Sequence, residues 1–233
     1  MIKFKHVSLR YQDSFSLKDV SFNVQKGDFY FIIGKSGAGK SSLLKLLSSE
    51  IPPTEGEFTV LNEQFKPRSK VNHDQLANYR QDIGIIYQDF RLLADLTVFD
   101  NLAYPLIGRG LDKEEITTKI KKVMRDLGIA ELSQHSPREI FGGEQQRVAI
   151  GRGVITEPDL LIADEPTANI DEKNSLRIMS LLENLNQQGT TIIMASHDVK
   201  LVNNYQHPVI ELAAGQVLRI ADQGGYYDSE KEN

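Results

Sequence analysis

The sequence predicts an α/β protein built on a mostly parallel sheet. Three observations carry that prediction. Residues 29–33, 83–87, 159–163 and 190–195 are short, nearly continuous apolar runs, as expected of strands covered on both faces. Helical patterns separate these runs, and buried strands alternating with helices imply parallel pairing. The first run opens at once into a glycine-rich turn and then a leucine-bearing helix.

Taken in order, residues 2–9 and 17–24 alternate apolar and polar side chains as half-buried strands do. The buried run 29–33 leads through the glycine turn into a helix with Leu43, Leu44, Leu46 and Leu47 on its apolar side. Pro52-Pro53-Thr54-Glu55-Gly56 reads as a turn into a short strand near 58–60. From about 98 to 157 the pattern is helical, with the charged stretch 112–127 the clearest case, and this insert predicts a second lobe. A helix over about 172–187 separates the last two buried runs. Strands near 208–212 and 216–220, joined by Ala214-Gly215, close the fold. The expected organisation is one domain over 1–220, a helical subdomain over about 89–157 within it, and a loose polar tail at 221–233.

Composition narrows the function. The chain has 233 residues, 40% of them hydrophobic and 25% charged, enough for a packed core under a solvated surface. A net charge of −5 argues against a broad nucleic-acid-binding face. With no cysteine there is neither a disulfide framework nor a thiolate zinc site, and the five histidines have no metal-ligand spacing. The N-terminus lacks a signal-peptide apolar run, and no segment reaches the roughly 20 apolar residues that cross a bilayer. The expected location is a reducing cytoplasm, with any membrane role supplied by a partner.

Gly34-Lys35-Ser36-Gly37-Ala38-Gly39-Lys40-Ser41 fits G-x-x-x-x-G-K-[ST] between a strand and a helix. Such glycines let backbone N–H groups wrap phosphates, and the helix behind aims its positive end at them. Lys40 reaches the β- and γ-phosphates and the Ser41 hydroxyl ligates Mg²⁺. At the end of the run 160–163, Asp164 and Glu165 point toward the crevice where α/β sheets hold ligands. Asp164 suits Mg²⁺ held through water, and Glu165 suits polarising an attacking water. Ser196-His197-Asp198 is no hydrolase triad, because three consecutive side chains do not converge in that geometry.

Phe141-Gly142-Gly143-Glu144-Gln145-Gln146-Arg147 resembles the signature motif of ABC-type ATPases, whose usual form is L-S-G-G-E-Q-Q-R. The resemblance covers about residues 1–220 in the family's order. It implies a P-loop NTPase cassette: a mostly parallel RecA-like core sheet, an antiparallel β-subdomain and a helical subdomain. It assigns Tyr11 to stacking on adenine, and nucleotide contacts to Gly34, Lys35, Ser36, Gly37, Ala38, Gly39, Lys40, Ser41 and Ser42. It assigns Phe141, Gly142, Gly143, Glu144 and Asp171, the last in Ala168-Asn169-Ile170-Asp171, to nucleotide contacts as well. Catalysis falls to Glu165, His197, Lys40 and the Q-loop residue Gln88, and the Mg²⁺ ligands are Ser41, Gln88 and Asp164. ATP and Mg²⁺ are the implied cofactors. Because the signature serves the opposite subunit's nucleotide, a homodimer closing on ATP is implied.

The signature serine is Phe141 here. Serine bonds the γ-phosphate and suits a helix N-cap, and phenylalanine does neither. Turnover or closure is therefore expected to be weakened. The stretches 36–46, 85–89 and 92–106 most resemble the cell-division (FtsE-type) branch of the family, which implies an FtsX-like integral membrane subunit as partner. Lipoprotein-releasing (LolD-like) and macrolide-export-type ATPases share most of these motifs, and an ATP-binding scaffold with little hydrolysis is the non-enzyme alternative.

Overall fold

The computed structural model describes residues 1–12, 14–67, 73–168 and 170–225, and falls into two units, Met1–Tyr79 with Ile192–Asn233, and Arg80–Thr191.

In the first unit, β1(Ile2–Tyr11), β2(Ser14–Val24), β4(Glu55–Val60) and β5(Glu63–Phe65) form an antiparallel sheet in the order β2-β1-β4-β5. The pairs Phe4↔Phe22, Phe4↔Phe58 and Phe58↔Phe65 put four phenylalanines on one face. Their rings stack at 4.5, 4.8 and 4.8 Å across all four strands, and Tyr79 of α2(His73–Gln81) meets Phe65 edge-on at 5.3 Å. Each such contact adds about 0.5–1.5 kcal/mol beyond the area it buries. The Tyr79 hydroxyl donates to the Leu47 carbonyl at the end of α1(Lys40–Leu47), and burial pushes the phenol's pKa up.

The same unit holds β3(Phe29–Ile33), fully buried as its apolar run predicts. It pairs in parallel with β8(Thr191–Ala195) and with β9(Val209–Ala213), and β10(Gln216–Ala221) returns antiparallel on β9. Helix α7(Val199–Tyr205) follows β8.

In the second unit, β6(Ile83–Ile86) and β7(Leu160–Asp164) pair in parallel, with Ile83 opposite Leu160 and Ile86 opposite Ala163. The stretch read as helical resolves into α3(Val98–Ile107), α4(Lys113–Leu127), two short 3₁₀ turns and α5(Gly142–Val154). Helix α4 shows why: Asp112 and Glu115 make a reciprocal capping box at its start, Gly128 at φ 63° ends it, and Ile116, Ile120, Met124 and Leu127 line its buried face. Gly151 of α5 is where three helices meet, since a Cβ there would lie 3.0–3.2 Å from Leu102, Leu127 and Val123. Helix α6(Glu172–Gln187) buries Ile178, Met179, Leu182 and Leu185.

Several sequence expectations shift. Strand β4 already begins at Glu55, inside the segment read as a turn, and β6 stops at Ile86, leaving Tyr87 in a loop. Elements α2, β5 and α7 carry too few apolar residues to show a period. Within the expected tail, residues 226–233 lie outside the described residues.

Candidate functional site

Strand β3 delivers the glycine turn in a conformation that only these residues accept. Gly34, Gly37 and Gly39 have φ of 142°, 76° and 107°. A Cβ on Gly34 would lie 2.3 Å from the Leu212 carbonyl oxygen, and one on Gly39 2.7 Å from that of Ser16. The loop is tied from outside: Gly215 N–H donates to the Ala38 carbonyl at 3.0 Å, and Lys18 N–H to that of Gly215 at 2.8 Å. Within it, Ala38 N–H donates to the Lys35 carbonyl at 3.1 Å. Lys40 is buried, and its Nζ donates to the carbonyls of Gly34 (2.7 Å) and Lys35 (3.2 Å), which sets the ammonium inside the curve of the loop.

Helix α1 starts behind Gly39, which has no side chain to cap it, so its first N–H groups point into the same curve. Ser41 is exposed there, while the Ser42 hydroxyl bonds that of Ser16 at 2.6 Å and anchors the helix to β2. Ser42, expected to contact nucleotide, is thus a strut in this structure. A concavity of about 660 Å³ borders residues 34–38 and is walled by Leu212, Leu218 and the Glu211–Arg219 ion pair (2.6 Å).

Tyr11 ends β1 opposite Ser14, in the hairpin whose Ser16 and Leu17 pack on Gly39. Its ring is 44% exposed, available for stacking. His197 leaves β8 beside the start of the loop, because Ala195 pairs with Ile32 and Ser196 N–H donates to the Ile32 carbonyl at 3.1 Å. Ser196 is buried and its Oγ accepts from Asp198 N–H, while the Asp198 carboxylate accepts from Leu201 N–H and caps α7. Both neighbours of His197 thus accept backbone N–H groups, and His197 itself is exposed, as is Asp198.

The second unit carries further predicted site residues of its own. Ile86 and Ala163 are paired, so Gln88 and Glu165, each two residues further on, leave adjacent strands at the same level, with Asp164 at the strand end. Gln88 is exposed, and Asp164 and Glu165 are half-buried. Glu165 sits at φ 50°, a region that costs a non-glycine residue roughly 1–3 kcal/mol and that clusters at functional positions.

Phe141 precedes α5 with its ring 82% exposed. The cap that serine would supply to the helix N–H groups is missing; what remains is the Glu144 carboxylate accepting from Phe141 N–H at 2.9 Å, with Gln145 Nε2 donating to the Pro137 and Ile140 carbonyls. The S-x-x-E signal of a capping box survives here only in its glutamate. Asp171 caps α6, one oxygen accepting from Asn174 N–H (3.0 Å) and the other from Asn174 Nδ2 (2.6 Å). These bonds, and secondarily the Arg147 guanidinium, hold its carboxyl below the usual range. Asn169, in the same motif, lies outside the described residues.

Sequence reading missed two groups that shape this unit. Asn101, fully buried, bonds Leu93 at both N–H (2.8 Å) and carbonyl (3.0 Å) and fixes the loop after Gln88. Arg152 donates to the Phe90 carbonyl at 3.0 Å. An apolar-faced helix with one asparagine inside the stripe hints at the first. Nothing local announces the second.

Known proteins resemble the chain throughout. The family model described as ABC transporter matches residues 17–168. The cell division ATP-binding protein FtsE of Mycobacterium tuberculosis is 39% identical over 228 residues, 97% of this chain and 98% of that one. FtsE of Streptococcus pneumoniae is 38% identical (98% and 99% covered), and that of Escherichia coli 37% (93% and 97%). A dimeric post-hydrolysis structure of the ATP-binding cassette MJ0796, bound to ADP and Pi, superposes with a TM-score of 0.88 at 32% identity, covering 95% of this chain and 98% of that one.

Proposed function

Because the chain belongs to the ABC transporter family, we propose that it is the ATP-hydrolysing subunit of an FtsE-type cell-division complex, working as a head-to-tail pair of copies. One observation carries the pairing. Glycine in a helix costs about 0.5–1 kcal/mol relative to alanine. Gly142 and Gly143 open α5 with no positive φ to require them. A Cβ at Gly142 would meet nothing within 4 Å, and one at Gly143 only Arg147 at 4.0 Å. Their bareness matches something outside the chain, and N–H groups at a helix start suit a phosphate. The solved dimers of the related cassette support a second copy as its bearer.

In this reading residues 34–42 and Lys40 grip the phosphates and Tyr11 stacks on the base. Glu165 accepts the proton of the attacking water, and His197 contacts the terminal phosphate. Ser41, Gln88 and Asp164 offer oxygen ligands, the donors a hard divalent cation prefers. Bound Mg²⁺ supplies charge neutralisation on the transferring phosphoryl group. Phe141, Gly142, Gly143, Glu144 and Asp171 serve the boundary with the other copy.

Among the described residues no helix is long and apolar enough to cross a membrane. Attachment to the inner membrane face then runs through an FtsX-like subunit. Its seat is a groove of about 270 Å³ along Tyr104, Pro105, Gly108, Arg109 and Ile85, with Tyr104 and Ile107 more than 60% exposed beside it. Glu165→Gln at saturating ATP tests the pairing by light scattering. The variant should accumulate as a dimer; a monomer, even with its membrane subunit present, overturns the proposal.

A further inference from the structure

Phe90 and Arg91 stand at φ 61° and 47°, two consecutive side-chain-bearing residues in the left-handed region, directly after Gln88. Such a turn persists only when its surroundings hold it. Locally, Phe90 N–H donates to the Tyr87 carbonyl at 3.2 Å and Arg91 N–H to that of Asp89 at 2.6 Å. The Arg91 guanidinium lies 3.7 Å over the Tyr87 ring and bonds the Asp89 carboxylate. These contacts close the turn on itself without fixing where it sits.

The outside anchor comes from the signature helix. Arg152, in the last turn of α5, donates to the Phe90 carbonyl at 3.0 Å. The helix that carries Arg152 is itself locked to β6, the strand that leads to Gln88. A Cβ on Gly84 of β6 would lie 2.1 Å from the Gly153 carbonyl oxygen, and one on Gly153 2.9 Å from Ile86 Cγ1, so helix and strand backbones touch with no side chain between them. Downstream, Asn101 holds Leu93.

We propose that Arg152 is a positioning residue, pinning the Phe90 carbonyl so that the place of the Gln88 carboxamide is set by the helix that presents Gly142 and Gly143. At about 1.5 Å per residue, the ten steps from Gly142 to Arg152 span about 15 Å. A displacement of the signature end by the other copy's nucleotide then reaches the metal ligand of this copy's own site along one rigid rod. The functional half of this inference rests on the assignment of Gln88 to Mg²⁺ made above.

The test uses the full chain with Arg152→Met, Arg152→Lys and Gln88→Ala. Amide hydrogen exchange reads the loop directly, and the Mg²⁺ concentration for half-maximal ATP turnover reads the metal ligand. Arg152→Met should speed exchange over residues 88–93 while leaving α1 unchanged. It should also raise the half-maximal Mg²⁺ concentration about tenfold, the lower end of what losing a support behind a metal ligand does. Arg152→Lys, which keeps a charged donor, should fall between, and it serves alone if the Met variant is not recovered folded. Unchanged exchange in 88–93 overturns the clamp. Unchanged Mg²⁺ dependence in the Arg152 variants, with a raised value in Gln88→Ala, overturns the positioning role and leaves Gln88 as ligand. If Gln88→Ala also leaves it unchanged, the assignment of Gln88 fails and the positioning role with it.

Discussion

The phosphate loop and the signature start use glycine for opposite reasons. In the loop, Gly34 and Gly39 adopt positive φ and press against Leu212 and Ser16 of the same chain, so their requirement is internal. At the start of α5, Gly142 adopts ordinary helical geometry and faces open space. One glycine set is required by the fold, whereas nothing packed within the chain requires the other. Side chains repeat the contrast: Lys40 is buried in its own loop, whereas Phe141 is 82% exposed. Packing alone thereby separates glycines that the fold requires from glycines that it leaves open.

The widest effect on that comparison comes from Glu165→Gln. It should lower turnover by about 10²–10⁴-fold, the range for losing a general base, while nucleotide binding at the loop persists in a titration with labelled ATP. Loss of binding together with turnover would mean that the two halves are not separable.

Next in size is a matched pair of glycine replacements. Gly39→Ala, strained at φ 107° and 2.7 Å from the Ser16 carbonyl, should cost about 1–3 kcal/mol in chemical denaturation. Gly142→Ala should leave the chain as stable or stabilise it by up to about 1 kcal/mol, yet weaken ATP-dependent dimerisation. Equal destabilisation by the two would erase the distinction between inward and outward glycines.

Smaller still, Phe141→Ser should raise steady-state phosphate release severalfold by restoring a hydroxyl at the signature; unchanged or lower release sinks the idea that Phe141 weakens closure. The smallest effect belongs to Asp112→Ala, which removes the cap of α4 (Asp112 accepts from Glu114 and Glu115 N–H at 2.9 Å) and should cost about 1 kcal/mol. Turnover of the isolated chain should not change, since this cap serves the helix alone.

Legibility in the sequence followed sequence distance. The phosphate loop is contiguous, its glycines, lysine and serine falling within eight residues, and it was readable in full. The buried strands were readable because runs of five or six apolar residues are too short for a buried helix. Helices α2 and α7 were not, since seven to nine residues with three or four apolar ones show no period. Within the insert 98–157 the charged stretch 112–127 was legible as α4, whereas the bounds of α3 and α5 were not read. Arg152 and Phe90 lie 62 positions apart, and no local pattern connects them.

The touching backbones of Gly84 and Gly153 have a consequence for heredity. A methyl group added at Gly84 strikes the backbone of Gly153, and one at Gly153 strikes Ile86, so neither position has a neutral first step. Substitutions at these two positions are thereby sterically coupled. Anyone building a chimera that borrows the signature helix from another cassette would have to transplant the strand beneath it, or inherit a clash that selection has never had to repair.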